Sequence, residues 1–180
     1  MIDPAVAWIA AFAAGLIFAS SAAIKLRNLE LFESAVINYR IVPPVLARPT
    51  SYLLPIAEFA GALAVLRYAS RAAGAIVLLI LLAAFSIAIA INLTRGRYDV
   101  ECGCFGPALR QTLSGWLILR NGALAAMVAL LLLSPKPRAL TIFDDFTIVC
   151  AVIAILLIYA SLNYAIANLP KLREFGARYA

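Results

Sequence analysis

Five long apolar runs decide what this chain can fold into. They occupy residues 5–24, 52–66, 72–93, 115–133 and 146–169. A helix needs about 20 apolar residues to cross a hydrocarbon core about 30 Å thick. Backbone polar groups in that solvent must be satisfied within the segment itself, as a helix does. The runs therefore predict an all-α, polytopic membrane bundle of five spans in one integral domain, residues 1–180. Composition agrees: 65% of the 180 residues are hydrophobic and 13% charged, against about half and a quarter in soluble domains. No Lys or Arg precedes the first run, and it is long enough to cross, so it reads as a retained helix rather than a signal peptide. The net charge of +6 is spread between the runs. There it bears on membrane orientation, and no basic block suits nucleic acid.

The run at 5–24 carries Ala11, Gly15, Ala19 and Ala23 at four-residue spacing, a stripe against which a helix can pack closely, and ends in Lys25-Leu26-Arg27. Residues 28–40 are too polar to span. Leu29, Phe32, Val36 and Tyr39 recur at helical spacing, which predicts an amphipathic helix in the interface, stopped by Pro43-Pro44. The short link 67–71 makes a hairpin of the second and third spans. Five spans place the loop after the first run, the polar gap at 94–114 and the C-terminal tail on one side of the membrane. The N-terminus, the hairpin link and the gap at 134–145 lie on the other.

The gap at 94–114 holds Cys102-Gly103-Cys104-Phe105-Gly106-Pro107, with two of the three cysteines. Two thiols separated by one glycine can close on each other. The small ring is strained, and strained disulfides are the more labile, oxidising ones. Cys102 and Cys104 are thus the candidate catalytic pair of a redox loop. The plainer alternative is an inert pair, since free cysteine often behaves as a small apolar residue. No metal is expected. The chain has no His, a closed zinc site takes four Cys/His ligands, and only Asp99 and Glu101 could supplement the thiols. The C-x-x-C-H signature of a c-type haem is absent. Cys150 falls near the start of the last run, on the side away from the cysteine loop, and is expected to serve packing.

Glu58 and Arg120 lie inside spans, each roughly 8–10 Å deep from the cysteine side at 1.5 Å per residue. Ionisable residues at such depth mark a functional site by default. The alternative is a structural pair locking two helices. Both require Glu58 and Arg120 to face the bundle interior, and they are expected to face each other.

Several segments together resemble the MauE branch of the DoxX/MauE redox-associated membrane proteins. They are Lys25-Leu26-Arg27, Phe32-Glu33, Asn38-Tyr39-Arg40-Ile41-Val42-Pro43, Leu54-Pro55-Ile56-Ala57-Glu58, Asn92-Leu93 with Arg95-Gly96, Cys102-Gly103-Cys104-Phe105-Gly106, and Gly115-Trp116 with Leu119-Arg120-Asn121. The resemblance spans nearly the whole chain. It implies a four-helix core, with the fifth span as an extension, in a cell inner membrane. It also implies a part in methylamine utilisation: maturing the disulfide-rich small (beta) subunit of periplasmic methylamine dehydrogenase beside a thioredoxin-like partner, MauD. By residue it reaches Cys102, Cys104, Glu58 and Arg120.

The leading expectation is a membrane thiol–disulfide relay through Cys102 and Cys104. A quinone among the helices is a possible electron acceptor, by analogy with other membrane disulfide-forming proteins. The alternatives are a non-catalytic scaffold that docks a thioredoxin-like protein, or a small transporter. Most Lys and Arg between the runs fall on the cysteine side, which favours the cytoplasm for that side. Labile disulfide chemistry belongs in the periplasm. The expectation is a periplasmic cysteine loop.

Overall fold

The computed structural model describes residues 1–98, 100 and 112–179, with side chains through Asn168. Six α-helices occupy these residues: α1 (Pro4–Arg27), α2 (Leu29–Tyr39), α3 (Pro44–Leu66), α4 (Arg71–Thr94), α5 (Gly115–Ala129) and α6 (Ile142–Tyr179). All but α2 belong to segments long and apolar enough to cross a membrane.

The helix ends follow local chemistry. Asp3 caps α1 by accepting from the Ala5 N–H at 2.9 Å, and Pro4 opens the helix where no N–H is needed. The Thr141 hydroxyl and backbone N–H both donate to Asp144 at 2.8 Å, and this Thr-x-x-Asp box starts α6. Gly96 follows α4 at φ +70°, a left-handed conformation that glycine adopts without cost, and its N–H donates to the Leu93 carbonyl.

α3 begins two turns ahead of the apolar run that announced it. Pro44 supplies a first-turn residue, so the proline pair that ends the amphipathic stretch also starts the next helix. Pro49 and Pro55 lie inside α3, and Pro55 removes the N–H that would have bonded to the Ser51 carbonyl. α2 lays Phe32, Ala35, Val36 and Tyr39 inward. Phe32 and Val36 pack on Ala47 and Leu54 of α3 and on Phe85 of α4.

The core is alanine-rich. Ala10, Ala11 and Ala14 of α1 meet Ala62 and Val65 of α3, Ala75 and Leu78 of α4, and Leu124 and Val128 of α5. Large apolar side chains such as Leu16, Leu53, Ile80, Leu119 and Leu157 lie on the outside. This arrangement suits a lipid solvent. Lipid offers no hydrophobic drive for helices to associate, so small residues gain stability by letting backbones approach. Gly74 marks the closest approach: a Cβ there would lie 2.8 Å from the Val65 nitrogen and 2.9 Å from the Gly61 carbonyl. The small-residue stripe of α1 is rotated from the expected one, because Ala22 is fully buried while Ala23 is exposed.

α1, α3, α4 and α5 build this core. α1 is central, with half of its apolar stretch buried, against 11% for α6. α6 leans on α1 through Ile148 and Val152 against Ala5. At this end the Ile2 N–H donates to the Ser134 carbonyl and the Lys136 N–H to Ile2. Arg138 donates to Asp3 at 3.1 Å and to both oxygens of Asp144 at 2.9 Å.

Candidate functional site

The opposite end of the bundle collects the polar interior. Glu58 of α3 and Lys25 of α1 form an ion pair at 2.6 Å, with both side chains 3% exposed. The Lys25 ammonium also sits over the Phe85 ring at 4.7 Å and the Phe32 ring at 5.6 Å. Aromatic faces stabilise a desolvated cation.

Arg120 of α5 is buried beside them. It donates to Asn163 of α6 at 3.1 Å and to its neighbour Asn121 at 3.4 Å. Asn121 donates to Ser86 of α4 at 3.2 Å. A cavity of about 40 Å³ lies between Lys25, Glu58, Arg120, Asn121, Tyr39 and Tyr159. Apolar side chains such as Phe18, Leu82 and Ile89 complete its walls, and it has room for a few waters. Burial pushes the Tyr39 phenol up to about 12, against the pull of the nearby Arg120 charge.

Glu58 and Arg120 therefore both face the interior and line one cavity. The group bonded to Glu58, however, is Lys25 rather than the expected Arg120. The Lys25-Leu26-Arg27 triplet looks like the basic end of a span, but α1 continues through it. One signal pointed inward. Ala11, Ala14, Phe18, Ala22 and Lys25 follow one another at three- and four-residue steps on the buried face of α1.

Asn92, fully buried in α4, donates to the Tyr39 carbonyl at 3.2 Å and accepts from Arg97 at 3.2 Å. The Leu113 N–H donates to the Val100 carbonyl at 3.0 Å. Leu113 and Leu117 pack with Tyr39 and Ile89. These bonds fasten both flanks of the cysteine segment to the end of the bundle that holds Lys25 and Glu58. Cys102 and Cys104 themselves lie outside the described residues. Cys150 does not serve packing: it is exposed on the outer face of α6 with a free thiol, because the faces that touch α1 are those of Ile148 and Val152.

A lipid-adapted core, five spans and paired charges buried at one end define a multi-pass α-helical membrane protein. The family model for the methylamine utilisation protein MauE matches residues 3–134. The chain belongs to that family. A methylamine utilization protein MauE from Paracoccus denitrificans is 36% identical over 144 residues, 78% of this chain and 77% of its own. MauE from Methylorubrum extorquens is 36% identical over 163 residues, 90% of this chain and 80% of its own. MauE from Methylophilus methylotrophus is 38% identical over 126 residues, 69% and 66% of the two chains. No solved structure matches the chain. The family match closes at residue 134, ahead of α6.

Proposed function

We propose that this chain is a thiol–disulfide factor of methylamine utilisation, working through Cys102 and Cys104 on the periplasmic side of the inner membrane. Its client would be the methylamine dehydrogenase small subunit, and its redox partner a thioredoxin-like protein of the MauD kind. The observation that carries this reading is the anchoring of both flanks of the Cys102-Gly103-Cys104 segment at the charged end of the bundle, through Arg97–Asn92 and Leu113–Val100. Family membership supplies the pathway.

The exchange balances as follows. A client thiolate attacks the Cys102–Cys104 disulfide; a mixed disulfide forms and the other cysteine leaves as thiolate. A second client thiolate attacks the mixed bond and releases the client oxidised. The protein is left as a dithiol that has accepted two electrons. Exchange with the disulfide of the thioredoxin-like partner restores it, and that partner departs reduced.

A cavity of about 40 Å³ at the polar centre disfavours the transporter reading. The deciding experiment is a Cys102→Ala/Cys104→Ala double variant expressed in a methylamine-grown host. Loss of mature dehydrogenase at unchanged membrane abundance is the expected result. Full maturation by the double variant would leave a docking scaffold as the better account.

A further inference from the structure

A groove of about 480 Å³ opens where α1 passes into α2 beside α3. Arg27 ends α1, Glu30 and Glu33 lie one turn apart on α2, and Arg48 and Tyr52 lie one turn apart on α3. All five line the groove. Arg27, Glu30, Arg48 and Tyr52 are exposed and Glu33 is half-buried. The 24 residues of α1 rise roughly 36 Å at 1.5 Å per residue, slightly more than a hydrocarbon core about 30 Å thick. Arg27, at the end of α1, therefore stands at headgroup level. Leu26 and Leu31 face outward there and also line the groove. Tyr52 suits the same boundary, with an apolar ring and a polar tip.

Two cations and two carboxylates share this groove without closing on one another. Among the described residues, none of the four forms an ion pair. Opposite charges held apart in this way match a ligand that carries both signs. The Asn28 side chain donates back to the Ile24 carbonyl at 2.9 Å instead of capping α2. The first turn of α2, which the groove reaches at Leu29 and Glu30, therefore adds positive potential beside the arginines. We infer that this groove binds the headgroup of a zwitterionic phospholipid, phosphatidylethanolamine by chemical class. Its phosphate accepts from Arg27 and Arg48, its ammonium donates to Glu30 and Glu33, and its acyl chains descend along Leu26 and Leu31.

Charge and donor count select this lipid. An anionic headgroup would gain the arginines but would bring nothing to neutralise Glu30 and Glu33. A choline headgroup balances the charge, but its quaternary nitrogen has no N–H to donate to a carboxylate. The primary ammonium of ethanolamine donates as a lysine does. This binding stands on the groove alone and holds whether or not Cys102 and Cys104 exchange disulfides.

The full chain, delipidated in detergent, is titrated with dioleoyl phosphatidylethanolamine, phosphatidylglycerol or phosphatidylcholine and followed by native mass spectrometry. Phosphatidylethanolamine should bind saturably and about fivefold more tightly than either of the others, the scale of one exposed ion pair. Arg27→Gln with Arg48→Gln should remove that binding step. Glu30→Gln with Glu33→Gln should instead abolish the preference and let phosphatidylglycerol bind at least as well. This second variant reports a change of preference, which a loosened fold does not imitate. Equal binding of the three lipids, tighter binding of phosphatidylglycerol by the unaltered protein, or a preference that survives loss of both carboxylates would each overturn the assignment.

Discussion

The Lys25 Nζ lies 2.6 Å from Glu58 Oε2, with both side chains almost wholly withdrawn from the surface, and this ion pair ties α1 to α3 beneath α2. Breaking a buried pair from one side leaves an uncompensated charge and costs about 3–5 kcal/mol, while removing both partners costs far less. Lys25→Met and Glu58→Gln should each lower membrane abundance several-fold. The double variant, or the exchange Lys25→Glu with Glu58→Lys, should restore much of it. Exchanging Glu58 with Arg120 should rescue less, since Arg120 is held by Asn163 and Asn121. Quantitative immunoblots of membranes decide; single variants at wild-type abundance would refute the pairing.

The approach of α3 and α4 at Gly74 makes a second prediction. A methyl group there meets backbone atoms of Val65 and Gly61, which cannot swing aside. Gly74→Ala should destabilise the protein by about 1–3 kcal/mol, and Gly74→Leu should abolish folding. Gly122, with nothing near its Cβ position, should accept alanine without loss. Thermal unfolding in detergent provides the comparison.

At the other end, the Arg138 hydrogen bond and the Ala5 N–H hold the Asp3 carboxyl below its ordinary value. A carboxylate with a depressed folded value stabilises above the unfolded value of about 3.9 and loses that contribution as pH falls through the folded one. Melting temperature should therefore drop below about pH 4. Asp3→Asn should flatten this part of the profile, and a profile identical to wild type would remove Asp3 from the clasp.

Thiol accessibility reports the side of the cysteine loop and the standing of Cys150. A membrane-impermeant maleimide should label reduced Cys102 or Cys104 in intact spheroplasts. Labelling that needs lysis would put the loop in the cytoplasm. Thiol trapping with mass spectrometry should find Cys102 joined to Cys104 and Cys150 free, as befits a thiol on the outer face of α6. A link from Cys150 to either loop cysteine would contradict that placement.

Much of the fold was legible because run length and charge depth are one-dimensional quantities. The inward placement of Glu58 and Arg120 followed from counting residues from the span ends. Lys25 was missed for a physical reason: a basic residue near a span end is ordinarily solvated, and only the buried side of the wheel reveals otherwise. Ala22 and Ala23 differ by one step, and an alanine-rich helix does not say which of them faces inward. Pro44 reads equally as a stop and as a start. Cys150 was assigned to packing from its depth in the last run, far from the cysteine loop, and depth does not say which face of a helix turns inward. Cys102 and Cys104 remain sequence readings, since they fall outside the described residues.

The hydrogen bonds between Ile2, Ser134 and Lys136, with the Arg138 bridge from Asp3 to Asp144, also fix an order of assembly. During synthesis the first helix leaves the ribosome with its amino-terminal partners more than a hundred residues in the future. It must wait in the bilayer, held by whatever hairpin arrives next. The ring closes only when the last loop emerges, so the earliest residues translated are among the latest to find their places.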